Sequence, residues 1–90
     1  MPHVLIARDR PGALEVRKAN REAHLAYIAE TGVVSLAGPL LGENGEMSGS
    51  LLVLDVETRA EAEAWAARDP YALAGLFEHV EITAFRRVVG

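Results

Sequence analysis

The run Ser50-Leu51-Leu52-Val53-Leu54-Asp55-Val56 carries aliphatic side chains at both odd and even positions. Successive strand residues point to opposite faces, so a strand written this way is covered on both sides and belongs in the middle of a sheet. Upstream of it, Gly42-Glu43-Asn44-Gly45 supplies a hairpin turn, and Val33-Val34-Ser35-Leu36-Ala37 reads as the preceding strand, stopped by Gly38-Pro39. Downstream, Thr58-Arg59-Ala60-Glu61 has the spacing of a capping box, in which hydroxyl and carboxylate each satisfy an orphan amide at a helix start. The helix it opens runs through an Ala-rich segment to about Arg68, with Ala62, Trp65, Ala66 and Asp69 on one side and Trp65 packed into the core. Asp69-Pro70 breaks that helix. Asp at an N-cap followed by Pro at the first helical position is also a start signal, so further helical turns are expected over Tyr71 to Leu76.

The flanks complete the pattern. Val4-Leu5-Ile6-Ala7 reads as a first strand ended by Arg8-Asp9-Arg10-Pro11-Gly12. From Ala13 to about Glu30 there is no Pro or Gly, and Leu14, Leu25 and Ile28 share an azimuth with Arg21 between them, which predicts one helix closed at Thr31-Gly32. His79 to Val89 reads as the last strand. The order β-α-β-β-α-β permits two right-handed crossovers that place both helices on one face of a four-stranded antiparallel sheet, a ferredoxin-like α+β fold in a single domain over residues 1–90. The other face is then bare and apolar, and monomers seldom expose an apolar patch beyond a few hundred Å². Pairing of two copies through that face is the economical solution; cover by loops or by the C-terminal residues is the alternative.

Composition narrows the functions. A chain of 90 residues holds one core and buries only about 60–65% of its unfolded surface, and with half its residues hydrophobic its apolar share is high for that size, so some of the surplus is expected in an interface. A net charge of −4 argues against a phosphate-backbone footprint, and no nucleic-acid partner is expected. With no cysteine there is no thiolate nucleophile, disulfide or zinc-thiolate site. The opening Met1-Pro2-His3-Val4 enters a strand-like run without the features of a signal peptide, the longest apolar runs fall far short of a membrane span, and a cytoplasmic location is expected. The phosphate loop, the dinucleotide G-x-G-x-x-G, H-E-x-x-H and G-x-S-x-G are all absent, and His3, His24 and His79 have no metal-ligand spacing, so neither cofactor nor metal is expected.

His24 is the polar residue that draws notice. Its azimuth puts it at the edge of the Leu14/Leu25/Ile28 stripe, near Arg17 and beside Arg21, at a boundary between core and solvent. A histidine there serves as a structural residue more often than as a catalyst, and Asp69 before Pro70 is what an N-cap requires. Arg17 and Arg21, one turn apart, are either anion anchors or solvated arginines paired with Glu15 or Glu22. Tyr71 and Ser35 are available as hydrogen-bond donors.

A set of residues spread along nearly the whole chain carries a likeness to a known family: Asp9 with Pro11-Gly12, Arg17, Arg21-Glu22-Ala23-His24-Leu25, Ala37-Gly38-Pro39, Gly49-Ser50, Ala64-Trp65, Asp69-Pro70-Tyr71, Gly75-Leu76 and Phe85 followed by basic residues. No single piece is specific, but the ordered set resembles the YciI-like (YCII-related) family. It departs at Ala84, where relatives often have Pro before the Phe. The resemblance implies a dimeric α+β barrel of two sheets packed face to face, with an active site around His24 and Asp69. It reaches a dehydrochlorinase acting on a chlorinated hydroxyquinol, and the fold resembles muconolactone isomerase; fold kinship does not fix function.

A carboxylate accepting from one imidazole nitrogen orients the ring and leaves the other nitrogen to take a substrate proton. The expected function is therefore a cofactor-independent small-molecule enzyme of lyase or isomerase type, with His24 as base, Asp69 as its partner, and Arg17, Arg21, Tyr71 and Ser35 toward the substrate. The rival from another class is a non-catalytic dimeric module that binds a small ligand or a partner protein. A cofactor-free oxygenase on the same fold is a third reading.

Overall fold

The computed structural model describes residues 1–90. Its elements are β1 (His3–Asp9), α1 (Leu14–Ala19), α2 (Arg21–Thr31), β2 (Val34–Leu41), β3 (Met47–Leu54), α3 (Arg59–Arg68), α4 (Pro70–Leu73) and β4 (Phe77–Ala84). All strand pairs are antiparallel and the sheet order is β2-β3-β1-β4, which is the ferredoxin-like α+β arrangement. β3 is an inner strand, as its two apolar faces require. In register, Leu5 lies between Leu52 and Ile82, and this row packs with Ala7 and Leu54 beneath Ala62 and Trp65 of α3. A smaller cluster of Ala13, Tyr71 and Leu76 closes the end of the domain where the site lies. On the opposite face of the sheet, Leu51 is half-buried and Val53 buried while Leu36 stands 55% exposed.

The helical region after β1 is two helices, not one. Asn20 breaks it: its backbone leaves helical angles (φ −111°, ψ 7°) and its side-chain amide donates to the Val16 carbonyl at 2.9 Å. Asn and Asp offer the backbone such local alternatives to helix continuation. The break resets the phase, so an azimuth carried through from Leu14 misplaces the residues of α2. His24 is 6% exposed rather than at a boundary, and Leu25 is 45% exposed rather than in a stripe.

Strand ends also differ from expectation, each for a reason in the pairing. β2 runs through Gly38-Pro39 to Leu41 because it is an edge strand, where a residue without an N–H removes no ladder bond provided that position faces outward. β3 starts at Met47 opposite Leu41 and stops at Leu54 because its partner β1 begins at His3. β4 ends at Ala84 for the same reason: Phe85 N–H still donates to Pro2 O at 2.8 Å, and beyond it β1 offers no partner. The hairpin turn lies where expected, with Gly45 at φ +82°. Thr58 caps α3 through its Oγ, which accepts the Glu61 N–H at 3.2 Å; the Glu61 carboxylate accepts from the Thr58 hydroxyl at 3.1 Å instead of from its amide.

Candidate functional site

Strand alternation places Asp9, at the end of β1, on the inner face with Leu5 and Ala7, and α1 then carries Arg17 back over it. Arg17 Nε donates to Asp9 Oδ2 at 2.7 Å, and Nη2 donates to Asp9 Oδ1 at 2.9 Å and to Ser50 Oγ at 2.8 Å. Both charged side chains are sealed, 2% and 6% exposed. Burial opposes the Arg17 charge, but the hydrogen bonds and negative charge of Asp9 outweigh it and hold its pKa above the ordinary arginine value. Gly49 makes room for this junction: a Cβ there would fall on the Ala7 carbonyl oxygen.

His24, on α2, and Asp69, between α3 and α4, meet across 45 residues of sequence, with Nδ1 and Oδ1 2.7 Å apart. Oδ1 also accepts the Tyr71 N–H at 3.0 Å, which is the N-cap bond of α4. One oxygen therefore accepts both, and Nδ1 is the donor. The other oxygen, Oδ2, is buried without a partner. The Tyr71 ring stacks on the imidazole, centroids 3.9 Å apart and planes 16° from parallel, and the Arg17 guanidinium carbon lies 4.6 Å from the same ring's centroid. Burial pushes the Tyr71 hydroxyl's pKa above its ordinary value against the pull of Arg17 and Arg21, so it stays a donor through neutral pH.

These groups border a cavity of about 130 Å³, lined by Arg17, Arg21, His24, Ser50 and Tyr71, with apolar walls that include Ile28, Pro39, Met47 and Leu52. His24 Nε2 makes no protein hydrogen bond and is not sealed off, while the Arg17 guanidinium and the Tyr71 hydroxyl lie close enough to interact with each other at its side. Arg21 is exposed and makes no ion pair with Glu15 or Glu22. A larger open groove of about 520 Å³ between the β1–α1 turn and the β2–β3 hairpin is less suited to chemistry: its Asp9 is spent on Arg17, and its Arg10 donates to the Gly75 carbonyl. No group of three or more His, Asp or Glu side chains converges on a metal-sized point.

The fold thus brings together His24, Asp69, Arg17, Arg21 and Tyr71. Ser35 is not among them; it sits at a register shift in β2, its hydroxyl 3.5 Å from the Val53 carbonyl, and lines a hollow on the opposite face of the sheet. Asp9 and Ser50 were missed as site residues, although both stand in the ordered set that carries the family likeness. Only the distance from Arg17 in sequence, 8 and 33 residues, hid their partnership.

A family model described as the YCII-related domain matches residues 1–86. The chain belongs to that family. Protein YciI of Escherichia coli O6:H1 is 34% identical over 97 aligned positions, covering 98% of this chain and 99% of that protein. Among solved structures, the 5-chloro-2-hydroxyhydroquinone dehydrochlorinase of Burkholderia phenoliruptrix, in complex with 2,5-dihydroxybenzoquinone, is 33% identical with a TM-score of 0.88, covering 96% of this chain and 94% of that one. An antibiotic biosynthesis monooxygenase shares the fold alone, at 8% identity and a TM-score of 0.61 over 99% of this chain and 100% of that one. No helix of this YCII-related protein is long and apolar enough to cross a membrane.

Proposed function

We propose that this protein is a cofactor-independent lyase or isomerase acting on a small cyclic or carbonyl substrate, with His24 as general base and Asp69 as its orienting partner. The observation that carries the reading is the 2.7 Å bond from His24 Nδ1 to Asp69, which leaves Nε2 bare at the cavity. Nε2 takes a proton from carbon beside a carbonyl, and the imidazolium so formed is balanced by the Asp69 carboxylate. The C–H electron pair moves toward the carbonyl oxygen, where the Arg21 charge, Arg17 Nη1–H and the Tyr71 hydroxyl accept the developing negative charge. In an isomerisation the proton returns from Nε2 to another carbon; in an elimination the pair forms a double bond and expels an anion such as halide. A cavity of about 130 Å³ compares with the roughly 150 Å³ that holds benzene, which suits a single ring at the His24 end of the substrate. The similar dehydrochlorinase, with its bound dihydroxybenzoquinone, supports the same class.

Two copies pack through the sheet face opposite the helices in this reading. Val4, Ile6, Leu36, Leu51 and Val53 give that face its apolar character, and α1–α4 leave it uncovered.

The test is turnover of a panel of lactones and halogenated quinols. Activity that falls by about 10²-fold or more in His24→Ala, with the far-ultraviolet spectrum intact, supports the enzyme. Saturable binding without turnover of any member favours the rival ligand-binding module.

A further inference from the structure

Tyr71 touches both members of the pair in different ways. Its backbone N–H donates to Asp69 Oδ1, the oxygen that takes His24 Nδ1–H, at 3.0 Å, and its ring lies nearly flat against the imidazole at 3.9 Å. The ring cannot slide away, because Arg17 packs on it, Phe77 meets it edge-on at 6.0 Å, and its side chain is only 2% exposed. An imidazole held by one hydrogen bond still rotates about that bond. A second, flat contact removes the rotation, which fixes the direction in which Nε2 faces the cavity. A tyrosine face also favours a cation lying on it, so the same contact suits the imidazolium formed on proton uptake.

We infer that Tyr71 is a positioning residue, which locks the plane of His24 through its ring while its amide holds the carboxylate that sets the tautomer. This rests on the base-and-partner reading above. Its hydroxyl is not needed for this role, so Tyr71→Phe retains the lock and Tyr71→Leu loses it.

The experiment is nitrogen-15 NMR of the histidine rings in the full chain, which reads the tautomer directly. In the wild type and in Tyr71→Phe, His24 is expected to favour the Nδ1–H form by about tenfold or more, as a hydrogen bond to a carboxylate demands. In Tyr71→Leu the ring, no longer held flat, spends part of its time out of line with the Asp69 carboxylate, and that preference is expected to fall by about 2- to 10-fold when a contact of this size is lost, with His3 and His79 unchanged. A preference as strong in Tyr71→Leu as in the wild type overturns the positioning role and leaves the pair standing. An Nε2–H tautomer in the wild type overturns the pair itself. Carbon relaxation of the wild-type rings guards against a leucine variant that does not fold. A His24 ring as rigid as the backbone supports the lock; one as mobile as the exposed His79 ring refutes it.

Discussion

Replacing Asp9 with Asn tests whether Arg17 is first of all a strut. In the folded protein the Asp9 carboxylate accepts from Arg17 Nε at 2.7 Å and Nη2 at 2.9 Å, with almost no water in reach. Asn keeps the shape but removes the charge and puts an NH₂ where one oxygen was, so one of the two bonds becomes donor against donor. Removing one member of a buried pair costs about 3–5 kcal/mol, because the other charge is left uncompensated. The remaining acceptor of Asn and the hydroxyl of Ser50 keep part of the bonding, which points to the lower end, about 3 kcal/mol. A chain of this size has about 5–13 kcal/mol in all, so the loss is a quarter or more of its stability. The assay is urea unfolding followed by the fluorescence of Trp65, the one tryptophan, 6% exposed in the fold. With a slope of about 1–3 kcal/mol per molar, the midpoint falls by about 1–3 M at fixed protein concentration. The double change Asp9→Leu with Arg17→Met restores most of the loss, since an apolar replacement leaves no stranded charge. A single-variant loss below about 1 kcal/mol, the worth of a surface pair, would falsify the sealed strut.

Gly49→Ala drives a Cβ onto the Ala7 carbonyl and to within 3.2 Å of Leu40 Cδ1, and should cost about 1–3 kcal/mol by the same urea assay; an unchanged midpoint means the strands part freely there. The chain has two tyrosines, Tyr27 and Tyr71, both with pKa raised above 10.0, by burial first and then by the charge of Asp69, against opposing arginines. Their neutral forms stabilise the fold fully below the unfolded value, and that contribution is lost as pH rises through the raised folded values. Phenolate absorbance should therefore lag behind that of the urea-unfolded chain, and titration coincident with the unfolded chain refutes it. Leu36→Lys, at a site 55% exposed in the single chain, should shift sedimentation from dimer to monomer while changing monomer stability by no more than about 0.5 kcal/mol; a wild type that sediments as a monomer removes the proposed sheet-to-sheet pairing.

What was legible in the sequence was whatever local chemistry governs. The doubly apolar run around Leu52, the Thr58 cap and the Asp69-Pro70 start all sit where their residues dictate. Strand ends were less legible, because β4 stops at Ala84 when its partner β1 runs out, a fact about residues some eighty positions away. The break at Asn20 escaped because Asn only permits an exit from the helix and does not compel one, and that single break moved His24 from boundary to interior. Local sequence assigned Asp69 the cap alone. Its second role, against His24, came only from the family likeness and needed the chain's three-dimensional closure to be seen as a bond.

Pro39 carries a consequence for assembly. A sheet edge with an unbroken row of free amides invites another chain to add a strand, and repetition of that event makes a fibre. Pro39, near the middle of the outer strand β2 and opposite Ser50, leaves a gap in that row. Growth of the sheet past β2 is interrupted at that point, which protects this edge and leaves β4, the other outer strand, as the one along which a further strand can add.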